Sequence, residues 1–243
     1  GEDQDNAPVE GSFLLTREEL EILHTVTKHF DRVAVVLNVS NIIDMSWLNS
    51  LEYKDHICSV LYSWQGGSEG GNACARILSG EVNPSGKLAD TIAASIEDYP
   101  STGNFGDEKE NIYREDLYVG YRYFETFARE KVLFPFGYGK SYTDFALSNF
   151  SLQVTGSGKD AQIKTGVEVK NTGSQYAGRE VVQLYVEAPQ GVLGKPSRSL
   201  TGFAKTGLLA PQESEKVEIT VPASALASYD DSGRTGHKSC WTT

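Results

Sequence analysis

Apolar residues recur at Leu20, Leu23, Val26 and Phe30, the three- and four-residue spacing of one helix face. Thr16 stands ahead of them and Glu19 follows three positions later, so the pattern predicts a helix opened by a capping box. The run "RVAVVLN" from Arg32 to Asn38 is short, β-branched and apolar at successive positions. It predicts a strand shielded on both faces, as in a parallel sheet covered by helices. "ICSVLYSW" from Ile57 to Trp64 repeats that pattern, and "QGGSEGGNACARILSG" then runs a glycine-rich turn into a short helix that ends on Gly80, a natural C-cap. Strand, turn and helix in series, from about Leu14 to Thr91, describe an α/β layer.

Beyond Tyr142 the period changes to two. "FSLQVTG", "AQIKTGVEVKNTG", "EVVQLYVEA", "SLTGFAKTGLL" and "SEKVEITVP" are short alternating runs separated by turn residues, which predicts an antiparallel β-sandwich. Val182, Leu184 and Val186 share one face of such a strand. A domain boundary is expected near residue 145, dividing the chain into 1–145 and 146–243. Ahead of it lies an aromatic tract with Tyr113, Tyr118, Tyr121, Tyr123, Phe124, Phe134, Phe136 and Tyr138. A tract this long without periodicity is functional or an inter-domain strap. Its rings could offer a stacking surface or pack between domains.

Composition narrows the partners. Thirty-three acidic against 22 basic residues leave a formal charge of −11, which repels nucleic acid and anionic lipid. No apolar run approaches the roughly 20 residues that span a bilayer, and the opening lacks the basic and apolar regions of a signal peptide. Neither nucleic acid nor membrane is expected as a partner, and the compartment stays open. Cys58, Cys74 and Cys240 have no C-x-x-C spacing, so neither zinc nor a disulfide framework is indicated. Cys58 and Cys74 sit in apolar runs and read as small packed hydrophobes. His24, His29, His56 and His237 lack metal spacing. No metal or organic cofactor is implied.

Four stretches bear on chemistry. "QGGSEGG" before a helix could cradle an anion on exposed backbone N–H groups, or its glycines could serve only a tight turn and close packing. "NVS" at Asn38 and "NFS" at Asn149 match the glycosylation acceptor, a pattern common by chance. The opening "GEDQDN" puts Glu2, Asp3 and Asp5 together. It is either a solvated acidic loop or a catalytic carboxyl carried on a loop beside an α/β edge.

Four stretches in order give the chain a family likeness. "SWQGGSEGGNACARILSGEVNPSGKLADT" resembles the glycine turn, helix and N-P-S-G-K/R-L run of glycoside hydrolase family 3. "LYVGYRYFE" and "LFPFGYGKSYTDF" resemble that family's Y-x-x-x-Y-R-Y/F strap and F-P-F-G-x-G-x-S-Y-T-x-F signature. "VEVKNTGSQYAGREVVQLYV" with "SLTGFAKTGLLAPQES" is similar to the fibronectin type III-like domain found in many members.

The resemblance implies a mixed α/β and all-β chain: a partial α/β sandwich, its parallel sheet flanked by helices, followed by a fibronectin type III-like antiparallel β-sandwich. It implies part of a retaining β-glycosidase, most closely a β-glucosidase acting on a β-glucoside or oligosaccharide. The nucleophile would belong to a (β/α)8 barrel outside these residues, before or after them, so that the 243 residues alone would be inactive. The family's acid/base motif, G-E-G-x-D-R in type, falls on "GEDQDN" with Glu2 as the matching carboxyl. Asp3 stands where the motif has Gly, and Asn6 where it has Arg. Asp3, Asp5 and Glu69 are the alternative carboxyls. A β-xylosidase of the same family and a non-catalytic carbohydrate-binding or spacer module are the rival readings, and a homo-oligomer is left open.

Overall fold

The computed structural model describes residues 7–50, 52–106, 109–110, 112–230 and 240–242. The chain forms two compact units. The first takes residues 1–82, 88–124 and 128–136, and the second takes 83–87, 125–127 and 137–243.

In the first unit α1 spans Arg17–His29 behind Thr16. Thr16 Oγ1 accepts from the Glu19 amide at 3.2 Å, and the Glu19 carboxylate accepts from the Thr16 amide at 2.7 Å. The capping box is therefore closed in both directions. The buried stripe is narrower than the spacing predicts. Leu23 and Thr27 are buried, whereas Leu20 and Phe30 are exposed. Thr27 tolerates burial because its hydroxyl donates to the Leu23 carbonyl at 2.7 Å.

Strands β1 (Val33–Leu37) and β2 (Ile57–Tyr62) pair in parallel. Val33 and Leu37 are buried but Ala34 and Val36 are exposed, so one face of β1 packs and the other stays open. Leu37 belongs to the cluster of Leu23, Ile43, Met45, Trp47, Tyr53 and Ile92. Cys58, read as a packed hydrophobe, is instead exposed. Helix α2 covers Gly70–Leu78. A second small core is built where β3 (Ile92–Ala93) pairs antiparallel with β4 (Val132–Phe134). Ala93 and Phe124 are its innermost residues. Phe124 lies in α3, Tyr121–Phe127.

The second unit is antiparallel throughout. Strands β5 (Phe145–Thr155), β6 (Gln162–Asn171) and β9 (Ser214–Pro222) form one sheet in the order β5-β6-β9. Strands β7 (Val181–Val186) and β8 (Ser199–Lys205) form another. Ser228–Asp230 (β10) pairs with Cys240–Thr242 (β11). The sheets enclose Val169, Val182, Leu209, Val217, Ile219 and Val221, the inward half of the two-residue alternation. Asn149 adopts φ 54° where the β5–β6 register slips between Ser148 and Ser151, a bulge. Its side-chain amide donates to Glu168 at 2.7 Å.

Candidate active site

Glu2, Asp3 and Asp5 lie outside the described residues, so the candidate site is approached from the segment that follows them. That segment is tied down at once. The Ala7 carbonyl accepts from the Val9 and Phe13 amides at 2.7 and 3.2 Å, and the Ala7 amide donates to Ser12 Oγ at 3.1 Å. Phe13 is 1% exposed, and its carbonyl accepts from the Asp44 amide at 2.8 Å. Burying a phenyl ring while satisfying its backbone holds such a segment in one place. Asp44 sits in the stretch that leaves the C-terminal end of β1.

The end of β2 reaches the same stretch. Tyr62 donates its hydroxyl to the Asn41 carbonyl at 2.7 Å, and burial pushes its pKa up to about 12. Two residues on, Trp64 has φ 52°, a left-handed backbone that costs a non-glycine residue energy. Its ring lies 4.4 Å from that of Tyr62. α/β layers commonly place ligands beyond the C-terminal ends of their parallel strands, and the segment after "GEDQDN" is moored to the stretch that leaves β1.

The glycine turn after β2 shows the packing role. A Cβ on Gly66 would stand 2.6 Å from Gly70 Cα, closer than carbon atoms approach. Gly67, at φ 61°, takes the left-handed turn position. Glu69 accepts from the Asn72 side chain at 2.6 Å, so this alternative carboxyl is engaged within its own turn. His24 pairs with Glu52 on an exposed surface. Among the described residues no group of three or more His, Cys, Asp or Glu side chains is arranged to hold a metal.

The aromatic strap divides. Tyr121 and Phe136 stack at 4.9 Å, and Tyr99 and Tyr123 meet Phe124 edge-on at 5.3 Å. Tyr113 is 84% exposed. Burial lifts the Glu115 carboxyl above its ordinary range. Tyr99 donates to the Thr91 carbonyl and accepts from the Ala93 amide, both at 2.8 Å. Desolvation raises its pKa from 10.0 to about 12. A phenol whose folded pKa exceeds its unfolded value supports the fold below pH 10, and that support is lost as pH rises through about 12. Tyr99→Phe is expected to cost about 1–3 kcal/mol at neutral pH, by stranding two backbone groups. It should also flatten the loss of stability between pH 10 and 12, as urea unfolding across that range would read.

Sequence reasoning missed what the most specific motifs do. In the second unit Asn83, the first residue of "NPSGK", accepts from Ser141 Oγ at 2.9 Å and from the Tyr142 amide at 2.8 Å. It donates to the Ala177 carbonyl at 3.0 Å. Lys87 donates to the Gly139 carbonyl at 2.8 Å and pairs with Glu180 at 2.8 Å. The "NPSGK" and "FGYGKSYT" motifs are thus fastened to each other and to "YAGRE". An Asn and a Lys at fixed places in otherwise small or apolar stretches were the available signal.

Comparison with known proteins agrees with these motifs. The glycosyl hydrolase family 3 C-terminal domain matches residues 1–142, and the fibronectin type III-like domain matches residues 180–239. A β-glucosidase of Ruminococcus albus is 49% identical over 241 residues, 99% of this chain and 24% of the relative. β-Glucosidase A of Butyrivibrio fibrisolvens is 49% identical over 245 residues, 95% of this chain and 29% of the relative. The crystal structure of a β-glucosidase from Paenibacillus barengoltzii is 60% identical with a TM-score of 0.96, covering 99% of this chain and 26% of that one. The chain thus spans about a quarter of the length of these relatives. With more than half of its residues matched by one domain family, its signature motifs fastened together and its second unit a β-sandwich, the chain belongs to the glycosyl hydrolase family 3 C-terminal domain family.

Proposed function

We propose that the whole protein is a retaining β-glucosidase that releases terminal β-D-glucosyl residues, and that this chain supplies the general acid/base carboxyl, Glu2. The reading rests chiefly on 49% identity, over 99% of the chain, to a Ruminococcus albus protein named β-glucosidase. The partial α/β sandwich domain would occupy residues 1–145, and the fibronectin type III-like domain would occupy 146–243. The nucleophile would come from a (β/α)8 barrel elsewhere in the protein.

A retaining mechanism needs two carboxyl groups about 5 Å apart, one to attack the anomeric carbon and one to protonate the departing oxygen and then deprotonate water. Glu2 takes the second role. A carboxyl must stand above the model value of about 4.3 to be protonated near neutral pH, and desolvation under the sugar beside the barrel carboxylate acts in that direction. Residues 7–13, which follow Glu2 closely in sequence, are anchored to the stretch that leaves β1. That several relatives carry the name β-glucosidase favours glucosides over xylosides.

Proton NMR of an aryl β-D-glucoside mixed with the whole protein tests the reading. β-Glucose should appear first, faster than xylose from the matching xyloside. An α-anomer formed first, or a preferred xyloside, would sink it.

A further inference from the structure

Two tryptophans lie in the first unit, and their surroundings differ. Trp47 is 7% exposed, and its indole N–H donates to the Asp44 carbonyl at 2.9 Å, as a buried donor must. Trp64 is only half-buried, and among the described residues its indole N–H has no hydrogen-bond partner. It also holds φ 52°, a backbone that costs any residue with a Cβ and that glycine takes freely. Neither the turn nor the core accounts for an indole in that position with its one polar atom left open.

The ring is held from one side. Tyr62 lies 4.4 Å away with its plane inclined by 45°, and its hydroxyl donates to the Asn41 carbonyl at 2.7 Å. Asn41 lies in the stretch that leaves β1, and the Asp44 amide of that stretch donates to the Phe13 carbonyl at 2.8 Å. The residues between Asn41 and Asp44 thus receive both the end of β2 and the segment that follows Glu2 in sequence.

We propose that Trp64 is the platform for the sugar on the leaving side of the scissile bond. The indole face packs against the apolar face of that pyranose, where its C–H groups gather, and the indole N–H donates to one of its hydroxyls. The inference rests on the reading that this chain supplies the acid/base carboxyl. In a retaining mechanism that carboxyl protonates the departing oxygen, so the layer that carries it faces the leaving group, while the nucleophile reaches the glucosyl unit from the barrel. An uncharged ring with one donor suits a neutral sugar. A binding group must also be locked by its own neighbours, and the Tyr62 contact with the Asn41 hydrogen bond supplies that.

On the whole protein, kcat/KM for a β-linked diglucoside divided by kcat/KM for β-glucosyl fluoride isolates the contact. Fluoride as leaving group reaches no further than the scissile bond. Trp64→Gly keeps the turn, since glycine accepts φ 52°. It should lower the ratio about 10-fold, chiefly through the KM of the diglucoside, the scale of one aromatic contact with one hydrogen bond. Trp64→Phe, with a ring but no donor, should fall between Trp64→Gly and the unaltered protein. Gln65→Ala, at the exposed next residue, should leave the ratio unchanged. A ratio unmoved by Trp64→Gly overturns the proposal, because a tryptophan that only supports the turn would depress both substrates together. So does a Trp64→Phe variant no better than Trp64→Gly, because a ring then counts for nothing. A whole protein inert towards β-glucosyl fluoride overturns the reading of its function, and this inference with it.

Discussion

In the whole protein, Glu2→Gln is expected to lose about 10²–10⁴-fold in turnover of an aryl β-glucoside with a poor leaving group, the usual worth of a positioned proton donor. With a good leaving group the first step should hardly suffer, because a stable phenolate departs without protonation. The second step still lacks its general base, so the glycosyl-enzyme accumulates, and azide, which needs no deprotonation, should restore turnover as glycosyl azide. The alternative carboxyls separate by the same measurement. Glu69→Gln replaces the charged acceptor for Asn72 by a neutral amide oxygen and should act only slightly on stability, without dependence on the leaving group. Asp3→Asn and Asp5→Asn should shift the pH profile slightly, since carboxylates on a loop in water are screened over about 10 Å. Equal losses on both aryl glucosides would place the proton donor elsewhere and return "GEDQDN" to a solvated loop.

Local patterns were legible in the sequence, and long-range ones were not. The Thr16–Glu19 box involves residues three apart, and it closes as its spacing says. The parallel pairing of β1 and β2 follows from two apolar runs with a helix-length stretch between them. Which face of β1 is covered depends on residues as distant as Ile92, and no local period reports that; the exposure of Cys58 and Val36 went unseen for this reason. Glu2 is reached through the motif alone, since Glu2, Asp3 and Asp5 have no periodicity to read. Trp64 was hidden for a different reason: its left-handed backbone is set by the turn around it, and tryptophan has no preference for that conformation.

The largest effect on stability is expected from Gly139→Ala. An added Cβ would stand well inside van der Waals contact with the Gly86 carbonyl oxygen and press on the Lys87 side chain. Neither can retreat cheaply. Gly86 is backbone between two anchored residues, with Asn83 held by three hydrogen bonds and Lys87 by Gly139 and Glu180. The Lys87 and Glu180 side chains are only 17% and 16% exposed, so pushing them apart strands charge in a partly dry place. Overpacking costs about 1–3 kcal/mol, and loss of a hydrogen bond from a charged donor adds about 1.5–3 kcal/mol. A total near 3 kcal/mol corresponds to a fall of about 6–12 °C in the calorimetric transition of this unit. Lys140→Ala, one residue away and exposed, should leave that transition within about 2 °C, as surface changes do. A silent Gly139→Ala would mean that the "NPSGK" and "FGYGKSYT" segments slide past each other freely. Their shared hydrogen bonds would then follow the fold of the unit instead of holding it.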